Sequence, residues 1–447
     1  MSRDARLMNS ATLAPPAVQA APVPASRALV AAIGSAAAFS FDLYDLFLLL
    51  YLAPVLAPLF FPLRLPTLSL AAVYASFGVT LLMRPVGSAV FGSLADRHGR
   101  RWAMNRAVLG VGLVTGSLAL LPTYARAGLI GPVLFLALRL VQGVFVGGVV
   151  ASSHTIATES VAPRWRGFVS GAVGGGSGGV GTLLASTTLL VATGLFPGAA
   201  FAVWGWRFVF ASGLVVALLS LFLFAWMEES PLWMDATEQE RPQAPLRTVL
   251  SGVYGRRFAL NLLLVAGAAT QYYLTGGFLP TFLPVVVRLP RPAVAEVLLA
   301  VAAAHILASL IVGPLSEVIG RRRTFLVVGL VDLAVLPLAY LTLAGAGPGV
   351  TARVVLLAAV LGFLGAAGHA AIMVFLNERY PTALRATGTS LNWNVGFAIG
   401  GITPTFVTLL SGSPHRIPAT VVAFLLASVV VYLAGALLVP ETRGRFA

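Results

Sequence analysis

Cysteine and lysine are both absent from this 447-residue chain, and charged residues of every kind make up only 10% of it. Without cysteine there can be no disulfide, no thiolate metal ligand and no cysteine nucleophile. A soluble chain carries about 25% charged residues, so an ordinary water-facing surface is excluded. The formal net charge is +14, but its 29 arginines are spread over many short segments and do not form a nucleic-acid-binding face. The glycine run Gly171–Gly181 has no strand before it and no Lys-Ser or Lys-Thr after it, so it is not a phosphate-cradling loop. It reads as a place where helices pack closely through small residues. His154, His305 and His369 stand isolated, at spacings that suggest no metal site. An integral-membrane enzyme would need a nucleophile, a metal cluster or a sugar-nucleotide site, and none is read here. The expectation is a protein with no enzymatic activity and no cofactor.

What the chain has in abundance is apolar length. Hydrophobic residues are 58% of it, and stretches of about 20 residues, enough to cross a bilayer, recur throughout. Twelve are predicted, near 28–53, 67–93, 102–122, 128–155, 166–194, 205–227, 257–286, 293–316, 323–345, 351–377, 384–411 and 417–439. With the N-terminus inside, 20 arginines fall in inner connections and 6 in outer ones. That asymmetry follows the positive-inside rule and puts both termini in the cytoplasm. Residues 1–27, rich in Ala and Pro, read as a disordered cytoplasmic tail with no secretory signal. Residues 228–256 are the longest polar stretch and read as a cytoplasmic linker. They separate a six-helix bundle over 28–227 from a second over 257–439, and 440–447 form a short cytoplasmic tail. The expected home is a bacterial inner membrane.

The two halves repeat one another. Gly92, Asp96, Gly99, Arg100 and Arg101 are answered 221 residues later by Gly313, Glu317, Gly320, Arg321 and Arg322. Glu159, Pro163 and Arg166 are answered by Glu378, Pro381 and Arg385. Duplicated bundles with charged turns between apolar spans are how many transporters build a central site with alternating access. A channel would need a charge ring and usually oligomeric symmetry. The internal duplication instead implies a monomer enclosing its own path, its partners being the bilayer, a small substrate and protons.

Polar groups inside spans are the candidate chemistry. Asp42 and Asp45 are three apart in the first span and share a helix face. Carboxylates in a bilayer face a cavity or a partner, and proximity and desolvation both favour binding a proton. They are the expected proton-coupling pair. Arg139, midway in the fourth span, suits a substrate carboxylate or one of these aspartates. Arg84, before Pro85, reads as structural. Gln142, Gln271, Tyr272, Asn392 and Asn394 are further candidates to line a substrate cavity. Tyr44 and Tyr272 would face the cation of a zwitterionic substrate. Asp332 in span nine has no assigned place.

Gly92–Arg101 resembles the loop signature of the major facilitator superfamily between helices two and three, and Gly313–Arg322 resembles its second copy. Arg139-Leu-Val-Gln142-Gly143 is similar to the fourth-helix motif. Glu228-Glu229-Ser230-Pro231 and Pro440–Arg445 are similar to the ends of helices six and twelve. Phe41-Asp42-Leu43-Tyr44-Asp45, Arg84-Pro85-Val86-Gly87, Trp204–Arg207 and Glu378–Gly388 further resemble the metabolite:proton symporters. The resemblance implies an all-α fold of twelve transmembrane helices in two pseudo-symmetric bundles. It also implies proton-coupled symport of a small mono- or dicarboxylate. A zwitterion such as proline or betaine, or proton-independent facilitation, is the alternative. It further implies a cytoplasmic gate. Asp96, with Arg100 and Arg101, would meet the start of helix eleven near Thr382-Ala383. Glu317, with Arg321, would meet the start of helix five near Trp165-Arg166. Glu159 and Glu378 would pair with nearby arginines, among them Arg166 and Arg385.

Overall fold

The computed structural model describes residues 25–98, 100–159, 161, 165–224 and 245–444. Most of the expected tail and residues 228–244 of the polar linker therefore lie outside the described residues. Among those described there is no strand. Twelve long helical segments follow one another: α1 (Ala25–Phe60), α2 (Pro66–His98), α3 (Arg100–Leu118), α4 (Ile130–Glu159), α5 (Gly167–Leu195) and α6 (Phe201–Phe222), then α7 (Gly252–Val287), α8 (Arg291–Ile319), α9 (Arg321–Ala344), α10 (Ala352–Arg379), α11 (Thr382–Ser411) and α12 (Ile417–Leu438). Eleven are long and apolar enough to cross a membrane; α3 falls short because its first turns hold Arg100, Arg101, Asn105 and Arg106. Its apolar part, from Ala107 onward, still packs into the same core.

The halves meet along α2 against α11 and α5 against α8. The glycine run explains the second contact. An ideal Cβ on Gly171 would lie 3.0 Å from the Ser309 carbonyl oxygen, and one on Gly175 would lie 2.2 Å from Ser309 Oγ. Bare backbone lets the helices come this close, and membrane helices associate largely through such van der Waals contact. At the end away from the arginine-rich loops, Tyr74 Oη and Thr281 Oγ1 join α2 to α7 at 2.6 Å. At the other end Asn394 Nδ2 donates to Ser88 Oγ at 3.4 Å. The path between the halves is thus crossed by contacts on both sides of its middle.

Three helices lose regularity at that middle, among them α5, which widens into a π turn over Gly171–Gly176. After Tyr272, α7 widens into a π turn over Tyr273–Gly277. Pro280 has no N–H to return to residue 276, and its ring crowds that carbonyl, so the regular ladder cannot pass. The third is α10, interrupted at Ala371 between Ala352–Ala370 and Ile372–Arg379.

Candidate functional site

A small cavity of about 10 Å³ lies between the halves, lined from α1 by Phe39, Asp42 and Leu43, from α2 by Arg84 and from α5 by Gly174. From the other half come Tyr272 of α7, His369 of α10, and Trp393 and Phe397 of α11. Its size is close to the room that one water molecule needs. Asp42 and Arg84 form its charged wall. Arg84 Nη2 donates to Asp42 Oδ1 at 3.0 Å and Nη1 to Oδ2 at 3.4 Å, with both side chains almost fully buried. Two parallel bonds from a planar fork fit a carboxylate better than any single donor. The opposite wall is aromatic: Trp393 and Phe397 stack at 4.1 Å, Tyr272 stands edge-on to His369 at 4.8 Å, and Phe39 lies 6.2 Å from Trp393.

Asp45, one turn along α1, points elsewhere. Gln142 Nε2 donates to both its oxygens at 2.8 Å, and the Thr115 hydroxyl donates to Oδ1. Arg139 Nη1 donates in turn to Gln142 Oε1, and the Arg139 carbonyl accepts from Thr80 Oγ1 at 3.0 Å. This network ties α1, α3 and α4 together inside the first bundle. The two aspartates therefore divide: Asp42 faces the cavity and Asp45 faces its own bundle.

The profile of the family described as "Sugar (and other) transporter" matches residues 28–252 and 289–447. The chain belongs to this family. It is a multi-pass secondary transporter of the major facilitator superfamily. Among its relatives is the "Inner membrane metabolite transport protein YhjE" of Escherichia coli K12, 28% identical over 94% of each chain. The "Proline/betaine transporter" of the same strain is 26% identical over 91% of this chain and 81% of that one. The transporter's fold is also that of the proton:xylose symporter XylE bound to 6-bromo-6-deoxy-D-glucose. The match has a TM-score of 0.71 at 18% identity, over 94% of this chain and 97% of that one.

Not every expected residue of the transporter reaches the cavity. Its arginine is Arg84, held in an ion pair with Asp42; Arg139 is held back by Gln142. Tyr44 turns into the first bundle, its hydroxyl 2.6 Å from Ser212 Oγ and 3.2 Å from Thr188 Oγ1. Asn392 accepts from Tyr380 Oη at 2.9 Å and Asn261 Nδ2 at 3.1 Å, inside the second bundle. Gln271 lies behind the cavity wall, fully buried with neither amide atom bonded. Tyr272 does line the cavity, and its hydroxyl has no partner. The histidines are not isolated in space: His305 and His369 stand 5.5 Å apart, both against Tyr272. They come from α8 and α10, which no local spacing could foretell.

The charged belt is described mainly in the second half. Arg321 Nη2 reaches Glu317 at 2.5 Å and Glu378 at 2.9 Å, which links α8, α9 and α10. Glu317 also lies against the start of α5, where an ideal Cβ on Gly167 would fall 2.0 Å from its Oε1. The side chains of Asp96, Arg100, Glu159, Arg166 and Arg385 lie outside the described residues. Arg101 is half-buried at the start of α3. Sequence reasoning missed Glu441. Its carboxylate accepts from the backbone N–H of Arg321 at 2.9 Å, Arg322 at 3.1 Å, Thr442 at 3.0 Å and Arg443 at 2.9 Å. It thereby caps α9. Gly320 suits this cap doubly, having φ of 97° and no Cβ to strike Glu441. The available signal was an acid directly after the last span in a chain with few acids.

Proposed function

We propose that the chain is a proton-coupled symporter of a small organic acid, with Arg84 receiving the substrate carboxylate and Asp42 carrying the coupled proton. One observation carries this reading: the bidentate Asp42–Arg84 pair on the cavity wall. While Asp42 is ionised it occupies the guanidinium fork. A substrate carboxylate arriving there brings a second negative charge into a low dielectric, which Asp42 repels. A proton on Asp42 frees the fork and removes the repulsion. Proton and substrate then favour each other's binding, and that mutual preference is coupling.

The same arithmetic suppresses leaks. Empty, the carrier holds a closed ion pair; loaded with both ligands, it holds a new one. With only one ligand, a buried charge is left without a partner, at about 3–5 kcal/mol. That is about two to four orders of magnitude in the population able to reorient. Asp45, wired to Arg139 through Gln142, is the second proton-coupling group in this reading. Arg139, whose Nε has no acceptor, is the second cation for a dicarboxylate once the halves part. Asn394, at the α2–α11 seam, is a further substrate contact there. The belt of Asp96, Arg100, Arg101, Glu159, Arg166, Glu317, Arg321, Glu378 and Arg385 is the cytoplasmic gate. The arginine asymmetry supports a bacterial inner-membrane monomer with both termini in the cytoplasm.

A second reading, a zwitterion such as proline or betaine, is favoured by the aromatic wall. Tyr272, Trp393, Phe397 and Phe39 offer ring faces for a quaternary or secondary ammonium. Asp42 stands beside them. Proteoliposomes loaded with a pH-sensitive dye separate these readings. Organic acids, proline and betaine are added in turn, without an imposed gradient. The expected result is lumen acidification on adding a small carboxylate. Uptake of labelled substrate with no proton movement would overturn coupling, and acidification by betaine or proline alone would select the second reading.

A further inference from the structure

Asp332 is the twelfth residue of the 24-residue α9, so it sits at mid-span. Its neighbours Leu330, Val331 and Leu333 are exposed to the lipid side, whereas Asp332 has no exposure at all. It therefore faces into the second bundle, yet neither carboxylate oxygen has a hydrogen-bond or ionic partner. Gln271 of α7 is in the same condition, fully buried with both amide atoms unbonded. Both side chains reach the same spot on α10. An ideal Cβ on Gly368 would lie 3.9 Å from Asp332 Oδ2 and 3.9 Å from Gln271 Oε1.

The other groups facing this spot leave the carboxylate uncompensated. From α12, Tyr432 gives its hydroxyl hydrogen to the Gly368 carbonyl at 3.0 Å. From α10, His369 turns towards the cavity, its Nδ1 against the Gly365 carbonyl and its ring on Tyr272. From α8, His305 belongs to that same cavity-side cluster. The arginines of α9 lie at its end, about 14–16 Å away along the axis at 1.5 Å per residue. An ionised carboxylate so placed carries a desolvation cost that nothing repays. Either a proton or a small cation must neutralise it. The oxygens at hand are two from Asp332 and one from Gln271, with the Tyr432 hydroxyl committed elsewhere. Three are few for a metal cation. A protonated carboxyl and an amide, by contrast, each carry both a donor and an acceptor, so protonation makes the two groups complementary.

We propose that Asp332 and Gln271 form a second proton-binding site, inside the second bundle and apart from the Asp42–Arg84 pair. Its position gives it a use. The π turn of α7 starts two residues after Gln271, and α10 breaks at Ala371, three residues after Gly368. The proton neutralises the joint between these two helices that line the cavity, and its loss loosens that joint. This part rests on the proton-coupled reading above; the occupancy of the site does not.

Infrared difference spectroscopy of the purified full-length protein tests the occupancy. The stretch of a protonated carboxyl is expected near neutral pH in wild type and in Asp42→Asn, and it is lost in Asp332→Asn. Survival of the whole band in Asp332→Asn would overturn the proposal. Should Asp332→Asn not fold, Gln271→Leu serves instead. It removes the polar group nearest the proposed proton and shifts the band, and an unmoved band counts against the site. Exchange of potassium for sodium is the third arm. A thermal midpoint raised by sodium in wild type but not in Gln271→Leu would mean that a cation is held there instead. Failure of organic-acid symport would leave the band in place, so the two ideas fail separately.

Discussion

At the scale of single residues, the buried pair governs stability as well as coupling. Removing one partner strands the other charge, so Asp42→Asn or Arg84→Gln should each lower stability by about 3–5 kcal/mol. The double variant Asp42→Asn/Arg84→Gln should recover much of that loss, because no charge is left unpaired. Thermal unfolding of detergent-purified protein measures both, and strict additivity of the single effects would argue against the pair. Tyr44 makes a contrasting case. Tyr44→Phe removes a hydroxyl bonded to Ser212 and Thr188, at about 1 kcal/mol of stability. It should leave the substrate KM unchanged, and a raised KM would put Tyr44 back at the site. Asp42 was legible in the sequence because a carboxylate inside an apolar span is conspicuous. Its partner was not, since Arg84 and Arg139 are both in-span arginines. Which one reaches α1 depends on how α2 and α4 are rotated. The same limit hid the pairing of His305 with His369 and the approach of Asp332 to Gln271.

At the scale of helices, two features are open to test. The α5–α8 seam requires bare backbone, so Gly175→Leu should hold the halves apart. Because the chain has no cysteine, a single Ser309→Cys reports on this directly. The thiol should be shielded from a water-soluble maleimide in the wild-type background and react readily in Gly175→Leu. Equal reactivity would contradict the close packing. The cap on α9 carries a pH signature. Partial burial pushes the Glu441 carboxyl up, but four backbone N–H donors, from Arg443, Arg321, Arg322 and Thr442, outweigh it and hold it below the usual carboxylate range. A group depressed in the folded state stabilises above its unfolded pKa, near 4.3 for glutamate, and that contribution is lost as pH falls through the folded value. With the carboxylate only partly buried, screening limits it to about 1 kcal/mol. Glu441→Gln should therefore lower the unfolding midpoint slightly at neutral pH and flatten its fall in acid. An unchanged acid limb would speak against the cap. The spans were readable from apolar length, the third least so because arginines fill its first turns, and the glycine run announced close packing. The breaks in α7 and α10 were not readable, because proline and glycine occur in many spans that stay regular.

At the scale of the whole molecule, the duplicated charged turns announced two bundles, and the fold bears that out. What they could not announce is how closely the halves meet, around a space about the size of one water molecule. In this state an ion pair seals one wall and aromatic rings the other. The bundles then rock according to which ligand combination leaves no charge stranded. The decisive measurement compares two modes of transport by Asp42→Asn in proteoliposomes. A carrier whose coupling group is permanently neutral should still exchange labelled for unlabelled carboxylate across the membrane. It should no longer accumulate that carboxylate against its gradient when a proton gradient is imposed. Accumulation by Asp42→Asn at the wild-type level would contradict the account.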